Sequence, residues 1–289
     1  MNQPLVGVAI ASFRDRSLLD QCLTSVVPEA DAHGVRVVVA RAGDPEIARC
    51  RDRWPGVGFV VAPAGASVPV LRGLAMKAVG EGRVALIEDH CVAAPGWLAM
   101  ITSSDADVVG GAMGNAQTAR LVDWGAFFSE YGFFASARVG QPPLVTGANV
   151  AYGPRVAPDV RAWAEAGEWE DVIHGRLLEA GRSFAFVVEA RVLQNQSYRV
   201  AAFLEDRFSH GFQYARKRLA EQGARKRWLW AAGVVALPLV LAIRVGRAAW
   251  SASPSAFVRS LGYTVLFLSA WAVGEGAGYL RGVGPRPAR

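Results

Sequence analysis

The stretch from Val84 to Trp97 reads Val-Ala-Leu-Ile-Glu-Asp-His-Cys-Val-Ala-Ala-Pro-Gly-Trp. Its four leading apolar residues are bounded by a glycine and a proline, which predicts a short buried strand. Two carboxylates and an imidazole follow at once: Glu88, Asp89 and His90. Ligands of open α/β sheets bind beyond the carboxyl ends of the strands. Acidic oxygens there suit a divalent cation, and that cation would in turn suit a phosphorylated substrate. Taken alone, the same three residues could equally form an acidic turn that caps the next helix.

Apolar runs of strand length alternate with helix-periodic segments over the residues before this stretch. Strands are predicted at 5–12, 35–40, 57–62 and 84–87, with helices at 17–26, 46–53 and 68–79 between them. Alternation at this pitch predicts parallel βαβ units and an α/β fold. The strand ends should meet at one edge of the sheet, so Ser12, Asp15 and Asp44 should come within reach of the same ligand as the 88–90 turn. Singly, Asp15 and Asp44 could each be a helix cap or a turn residue.

The composition of the 289-residue chain points to lipid contact. Hydrophobic residues make up 52% and charged residues 19%, with a net charge of +6 and a mean hydropathy of +0.21. This is more apolar than a typical soluble enzyme. A basic cluster precedes the first long apolar run: Arg207, Arg216, Lys217, Arg218, Arg225, Lys226 and Arg227. Such a cluster could be a solvated helix face, but beside an apolar run it favours a membrane surface over nucleic acid.

The three cysteines and the N-terminus bear on the compartment. Cys22, Cys50 and Cys91 are odd in number and widely spaced, which favours reduced core thiols in a cytosolic domain over a disulfide framework. No basic region precedes the first apolar stretch, so we expect no signal peptide. The length allows one large domain plus an appendage.

Several motifs resemble those of the inverting family 2 glycosyltransferases, which have the GT-A fold. The first is Ala11-Ser-Phe-Arg-Asp-Arg16 with Cys22-Leu-Thr-Ser25, similar to the turn and helix after that family's opening strand. The 84–97 stretch resembles the family's Asp-x-Asp strand and the Pro-Gly-Trp after it, and Asp107-Val-Val-Gly-Gly111 resembles the strand that follows. The resemblance covers roughly residues 4–220 and lies in the order and spacing of degenerate motifs. It implies a mostly parallel, Rossmann-like central sheet flanked by helices, to which this chain adds C-terminal hydrophobic helices.

Thr146-Gly-Ala-Asn149 resembles the family's Gly-x-Asn turn, which lies near the donor sugar and the acceptor. Gly147 would allow close backbone approach, and Asn149 offers both a hydrogen-bond donor and an acceptor to sugar hydroxyls. The aromatic segment 121–134, which includes Trp124, is interpreted as core or lid packing, or else as a wall that faces the acceptor or the membrane.

A second acidic pair, Glu170-Asp171, opens a helical pattern that ends at Gly181 in a glycine cap. An aspartate at a helix start is frequently only an N-cap. The stretch nevertheless resembles the family's Glu-Asp…Arg-Leu…Gly element, in which one carboxylate is the catalytic base. By this resemblance the first acidic site would hold a metal and the diphosphate. Asp171, or Glu170, would take the proton of the attacking hydroxyl.

Two features depart from the family pattern. Glu88-Asp89-His90 stands in place of Asp-x-Asp, and Gln194, Asn195 and Gln196 stand where many relatives have a histidine near the metal or diphosphate. These departures keep open a second hypothesis, a degenerate GT-A protein that binds sugar nucleotides or scaffolds a membrane glycan complex. A nucleotidyltransferase ranks last because no glycine-rich N-terminal loop with Arg and Lys is present.

The tail contains two apolar segments. Residues 228–243 are 16 uncharged residues that include Pro238, and residues 261–280 are broken only by Glu275. A helix needs about 20 residues to cross a bilayer, and a charge that faces lipid is costly. We expect a hairpin that crosses the cytoplasmic membrane, with the main domain and residues 281–289 in the cytoplasm. The alternative is two helices that lie in the interface plane.

The sequence thus predicts a GT-A catalytic domain at 1–205, a basic amphipathic connector at 206–227 and a membrane-associated helical hairpin at 228–289. The predicted function is transfer of a sugar, with inversion, from a nucleoside-diphosphate donor to a hydroxyl acceptor such as a membrane lipid or lipid-linked glycan, without nucleic acid. The candidate residues are assigned by role: for catalysis Asp171 and Glu170; for the donor Ser12, Asp15, Asp44, Arg72 and Glu88; for the acceptor or sugar Gly147, Asn149 and Trp124; and for Mg²⁺ or Mn²⁺ Asp89 and His90.

Overall fold

The structure, a computed structural model, describes residues 5–43, 47–136, 145–223 and 225–282. The donor candidate Asp44 and the predicted cytoplasmic end at 283–289 lie outside the described residues. The chain divides into two compact units. The first comprises Met1–Ala116 and Ser136–Gln196, and the second comprises Gln117–Ala135 and Ser197–Arg289.

The strands are β1 Leu5–Ser12, β2 Arg36–Ala42, β3 Gly58–Ala62, β4 Arg83–Glu88, β5 Cys91–Ala93, β6 Val108–Asn115, β7 Asn149–Tyr152 and β8 Phe184–Gln194. The helices are α1 Arg16–Ala32, α2 Ile47–Arg53, α3 Val68–Val79, α4 Trp97–Ile101, α5 Leu121–Tyr131, α6 Ala157–Glu165, α7 Glu170–Glu179, α8 Val200–Gln222, α9 Arg227–Gly233, α10 Leu237–Ala252 and α11 Pro254–Arg281. A short 3₁₀ turn at Gly132–Phe134 follows α5.

The first unit is built on one sheet with the strand order β3-β2-β1-β4-β7-β6-β8-β5. The first four strands of this order pair in parallel, as the βαβ pattern predicts. β7 runs antiparallel between β4 and β6, β8 is parallel to β6, and β5 is antiparallel to β8. Every residue of β4 is buried, because the strand lies between β1 and β7. A central strand covered on both faces needs the continuous apolar run that the sequence shows.

The register places the carboxyl ends of β1, β2 and β4 side by side. Ser12 pairs with Arg41 on one side, and Ala11 pairs with Glu88 on the other. On one face of these strands lies α3, which has Pro69 in its first turn and is capped at its C-terminus by Gly80, whose φ is 113°. Leu71, Ala75 and other α3 residues join the main core cluster there. The sheet edge and α3 together position the candidate site.

The second unit consists of helices. Its longest, α11, packs against α8 and α5. The predicted apolar segment 228–243 forms two helices, α9 and the start of α10, whose axes are bent by 64°. Pro238 stands in the first turn of α10, where its missing N–H costs nothing. Among the described helices, α11 alone is long and apolar enough to cross a membrane by itself, and α9 with α10 passes only as a bent pair.

Candidate functional site

Asp89 ties the strand ends together. Its Oδ2 accepts hydrogen bonds from the Ser12 hydroxyl at 2.9 Å and from the backbone N–H groups of Phe13 and Arg14, both at 2.7 Å. The residue is completely buried. A buried carboxylate with three donors fixes the conformation of the loop after β1. Ser12 and Asp89, predicted to meet at this edge, are therefore in direct contact.

Arg41, at the end of β2, belongs to the same cluster, although the sequence reasoning did not select it. Its Nη1 donates to the Ser12 hydroxyl at 2.7 Å and to the carbonyl oxygen of Arg14 at 2.8 Å, and it lies 3.8 Å from Asp89 Oδ2. The signal was present, since Arg41 is the first charged residue after the buried run of β2 and stands opposite Ser12 in the sheet. Asp15 caps α1, where its exposed side chain accepts from the N–H of Ser17 at 2.8 Å, and this bond lowers the pKa of Asp15.

His90 stands between the two acidic neighbours. Its Nε2 is 3.7 Å from Glu88 Oε2, and its Nδ1 is 3.7 Å from Asp89 Oδ1. Burial alone would lower the pKa of His90, but the Cys91 sulfur and the Asp89 and Glu88 carboxylates raise it well above its ordinary value. Only neutral imidazole coordinates a metal, so a cation at His90 would have to displace a firmly held proton.

The donor set at this edge suits a cation shared with a substrate better than one enclosed by protein. Asp89 Oδ1 is buried and has no hydrogen-bond partner among the described residues, which leaves a carboxylate oxygen of the kind that Mg²⁺ or Mn²⁺ takes. Within the described ranges, however, no group of three His, Cys, Asp or Glu side chains could hold a metal ion. Mg²⁺ is commonly held by one or two carboxylates together with substrate phosphates and water, and that is the arrangement these residues fit.

Arg72, on α3, joins the two acidic sites. Its Nη2 donates to Glu88 Oε1, and its Nη1 donates to Glu170 Oε2 at 2.6 Å. Burial would lower the pKa of Arg72, but Glu170 and Glu88 outweigh it and raise that pKa. Burial would likewise raise the pKa of Glu170, but Arg72 lowers it to about 2. The carboxylates at the end of β4 and at the start of α7 are thus held by one guanidinium.

Gly147 lies against that guanidinium. A Cβ atom at position 147 would be 2.3 Å from Arg72 Cζ, so only glycine allows the backbone to come this close. In this structure the neighbour of Gly147 is Arg72, and the predicted approach of its backbone to the donor sugar stays a prediction.

Asn149 is completely buried and hydrogen-bonded to protein. Its Nδ2 donates to the carbonyl oxygens of Ala112 at 3.1 Å and Ala190 at 2.8 Å, and its Oδ1 accepts from Trp97 Nε1 at 2.9 Å. These bonds join β7 to β6, β8 and α4. A direct contact of Asn149 with a sugar, as the sequence predicts, would require some of them to break.

The first turn of α7 holds both candidate bases in different surroundings. Glu170 is half-buried against Arg72, whereas Asp171 is exposed to solvent. One turn further, His174 is buried, and its Nε2 lies 2.8 Å from the Tyr152 hydroxyl. Burial lowers the pKa of His174 to about 4, although the charge of Glu170 opposes the shift. An exposed carboxylate such as that of Asp171 is accessible to accept a proton.

No family model and no curated protein sequence matches the chain. Among solved structures, the chain is similar to the mannosyltransferase PcManGT from Pyrobaculum calidifontis, in complex with GDP-Man and Mn²⁺. The TM-score is 0.56 and the identity 15%, over 95% of this chain and 87% of that one. It is also similar to the inositol-1-phosphate CTP transferase from T. maritima, with a TM-score of 0.43 and 10% identity over 67% of this chain and 90% of that one. That second score is too low to support an inference. The first likeness establishes the architecture predicted from the sequence. The protein has a GT-A fold.

Within this GT-A fold, direct contacts connect seven of the candidates: Ser12 with Asp89, His90 beside Glu88 and Asp89, and Arg72 with Glu88, Glu170 and Gly147. Asp171 follows Glu170 at the same helix start. Trp124 lies in the second unit, on α5, where it stacks on Phe128 at 5.5 Å and donates from Nε1 to the carbonyl oxygen of Thr118 at 3.2 Å. Its predicted contact with the acceptor stays a prediction.

Proposed function

We propose that the protein is a membrane-associated inverting glycosyltransferase that moves a sugar from a nucleoside-diphosphate donor to a hydroxyl acceptor. The observation that carries the proposal is the pairing of two acidic sites through Arg72 within a GT-A fold, one at the end of β4 and one at the start of α7. Inversion by single displacement requires a donor site and a base on opposite sides of one reacting carbon. Two separate carboxylate groups joined by one arginine suit these two roles, one at the donor site and one as the base.

The base in this proposal is Asp171. Glu170 is ion-paired to Arg72 and its pKa lies at about 2, which makes it a poor proton acceptor near neutral pH. Asp171 is exposed beside it and would take the proton of the acceptor hydroxyl.

Ser12, Asp15 and Glu88, with Asp44, are proposed to line the donor side. A Mg²⁺ or Mn²⁺ ion held by Asp89 together with the donor phosphates would neutralise the departing diphosphate. His90 stays a proposed ligand of that ion.

The second unit supports membrane association. Large apolar side chains are exposed along α10, α11 and the segment before them, and the most exposed is Val235 at 86%. α10 has 16 residues and a length of about 24 Å, so with the 64° bend before it α9–α10 suits the interface plane better than a straight crossing. α11 has 28 residues, about 42 Å, which is enough to cross. A membrane position on the cytoplasmic side favours a membrane lipid or lipid-linked glycan as acceptor.

The test is nucleoside-diphosphate release by detergent-purified protein with a panel of nucleotide sugars, Mn²⁺ and membrane lipid extract. Release that needs one donor, stops when Mn²⁺ is chelated, and falls about a thousandfold in Asp171→Asn would support the proposal and identify the donor. Asp159→Asn is the matched control, because Asp159 is also exposed in the first turn of a helix, α6. If donors bind but none is turned over, and Asp171→Asn leaves binding unchanged, the non-catalytic hypothesis replaces this one.

A further inference from the structure

Arg72 forms buried ion pairs with two carboxylates, Glu88 and Glu170. Donor binding alone would not require these pairs. Its side chain is 9% exposed, that of Glu88 is 5% exposed and that of Glu170 is 25% exposed. Each terminal nitrogen of the guanidinium serves a different carboxylate, and each carboxylate comes from a different element. A planar fork can bridge two carboxylates in this way, whereas a lysine ammonium is a single point charge.

The backbone around Gly147 closes over the same guanidinium. A Cβ atom there would lie 2.3 Å from Cζ, 2.4 Å from Nη1 and 2.6 Å from Nη2 of Arg72. With both terminal nitrogens bonded to carboxylates and one face covered by Gly147, the fork is arranged to hold protein groups. Its position depends on Glu88, Glu170 and Gly147 together.

The start of α7 depends on this contact. The N-cap residue of α7 is Trp169, whose side chain makes no capping hydrogen bond. The first turn of the helix therefore lacks the stabilisation that a capping side chain usually gives. The ion pair from Glu170 to Arg72 supplies a fixation from outside the helix. Asp171 is the next residue, and its direction follows from the backbone of that turn.

We propose that Arg72 is a positioning residue that links the donor-side carboxylate Glu88 to the first turn of α7 and thereby places Asp171 for proton transfer. In this arrangement Glu170 is the residue through which Arg72 holds α7, and the backbone of Gly147 packs against the guanidinium and limits its movement. The inference rests on the proposed function, because it assigns Asp171 the role of base. It also replaces the donor-pocket role that the sequence suggested for Arg72.

The kinetic test separates positioning from donor binding. Arg72→Lys should lower kcat about a hundredfold, the effect of a misplaced base, and leave the donor Kd within about threefold. Arg155→Lys is the matched control, since Arg155 pairs with a single carboxylate, Asp107, at 2.8 Å. A donor Kd raised tenfold or more, with kcat at saturating donor unchanged, would make Arg72 a donor ligand and overturn the proposal.

Two further variants test the link itself. Gly147→Ala should push the fork away and lower kcat as Arg72→Lys does, and the double variant should be no slower than the slower single one, because both changes break the same contact. Multiplied effects would show two independent roles. Glu170→Gln keeps an acceptor for Arg72 and should lower kcat less than Glu170→Ala. If Glu170→Gln is instead as slow as Asp171→Asn, Glu170 is the base and the positioning role is wrong.

A readout without turnover distinguishes failure of this inference from failure of the proposed function. The N–H groups of Val172 and Ile173 bond to the carbonyl oxygen of Trp169, both at 3.1 Å, so their hydrogen exchange reports the first turn of α7. In Arg72→Lys these two amides should exchange at least tenfold faster while those of β4 stay unchanged. If wild type turns over no donor but this change occurs, the link stands and the proposed function fails. If the exchange is unchanged, the link fails whatever the activity.

Discussion

Glu170 and Asp171 are adjacent in the chain and have opposite surroundings. Glu170 is turned against Arg72 and ionised at any ordinary pH, whereas Asp171 is exposed at the same helix start. The chemical difference between them comes from one arginine on α3, which approaches Glu170 from another part of the chain. At the scale of single residues, the pKa of Glu170 is thus lowered by a contact with another element of the fold.

His174 provides a test of this view through the pH dependence of stability. Its pKa is lowered to about 4 in the folded protein by burial, against about 6.5 in an unfolded chain. Between pH 6.5 and 4 the unfolded chain therefore binds a proton at His174 that the folded protein does not bind. The free energy of unfolding should fall as the pH drops through this range. Over the whole window the loss is on the order of 3 kcal/mol. We expect His174→Phe to remove most of this slope in denaturant unfolding measured between pH 6.5 and 5.

Two other groups with shifted pKa values, Glu170 and His90, act outside this pH window. Glu170 acts below it, because its stabilising ion pair is complete above about pH 4.5 and is lost toward pH 2. His90, with a raised pKa, acts above it, where its contribution declines as the pH rises. His33, exposed after α1, is the control residue, and His33→Phe should keep the wild-type slope. An unchanged slope in His174→Phe would contradict the assignment of the titration to His174.

The same residue scale explains what the sequence could not reveal about the site. The pattern around Glu88-Asp89-His90 located the sheet edge, because a buried strand that ends in acids is a local signal. Nothing local indicates that Arg72 reaches both Glu88 and Glu170, or that Asn149 bonds to β6, β8 and α4. Those facts arise when β4, α3 and α7 are packed together, and sequence spacing does not encode that packing.

At the scale of elements, the periodicity of apolar residues predicts the bounds of α3 and β4 closely. α3 has the predicted bounds, Val68–Val79, and strand β4 extends the predicted run by one residue at each end. β8 runs from Phe184 to Gln194, although its exposed residues Glu189 and Arg191 would favour an earlier end. It continues because its later residues pair with β5 and β6.

The contact between α8 and α11 leads to a prediction for the second unit. α11 has Gly274 and Gly278 one turn apart, and at both positions a Cβ atom would meet α8, at 2.0 Å from the Phe208 carbonyl oxygen and 2.7 Å from Ala215 Cβ, respectively. Glycine at this spacing lets two helix backbones approach closely. Gly274→Val should therefore lower the free energy of unfolding by about 1–3 kcal/mol, through overpacking.

Gly262 is the matched control on the same helix. A Cβ atom there meets none of the described residues within 4 Å, so Gly262→Ala should stabilise the protein by about 0.5–1 kcal/mol through helix propensity alone. Thermal unfolding in detergent measures both variants. If Gly274→Val unfolds at the wild-type temperature, the close packing of α11 on α8 does not contribute to stability.

At the scale of the whole molecule, the chain is divided in a way that its sequence does not indicate. Residues 117–135 belong with the C-terminal helices, although they lie within the segment that the family resemblance covers. Helix α5 packs against α11, and this contact joins parts of the chain that are far apart in sequence. The predicted boundaries 1–205, 206–227 and 228–289 are based on composition. Composition reveals the apolar tail, but it does not indicate that α5 packs against α11.

The apolar surface of the second unit and the net charge of +6 lead to the last prediction. Val235 and Leu239, 86% and 67% exposed, flank the start of α10. Each would contribute about 1.5–3 kcal/mol if fully buried in lipid, on top of the attraction of basic residues to anionic headgroups. We expect the protein to float with vesicles that contain anionic lipid, and flotation to weaken in high salt.

Val235→Glu or Leu239→Glu should reduce partitioning at least about tenfold, because each replaces apolar burial with a charge of the wrong sign. Val61→Glu alters an exposed apolar residue of the first unit, 52% exposed on β3, and should float as wild type does. Equal loss in all three variants would show that the second unit has no special affinity for lipid, and the acceptor would then have to be sought among soluble molecules.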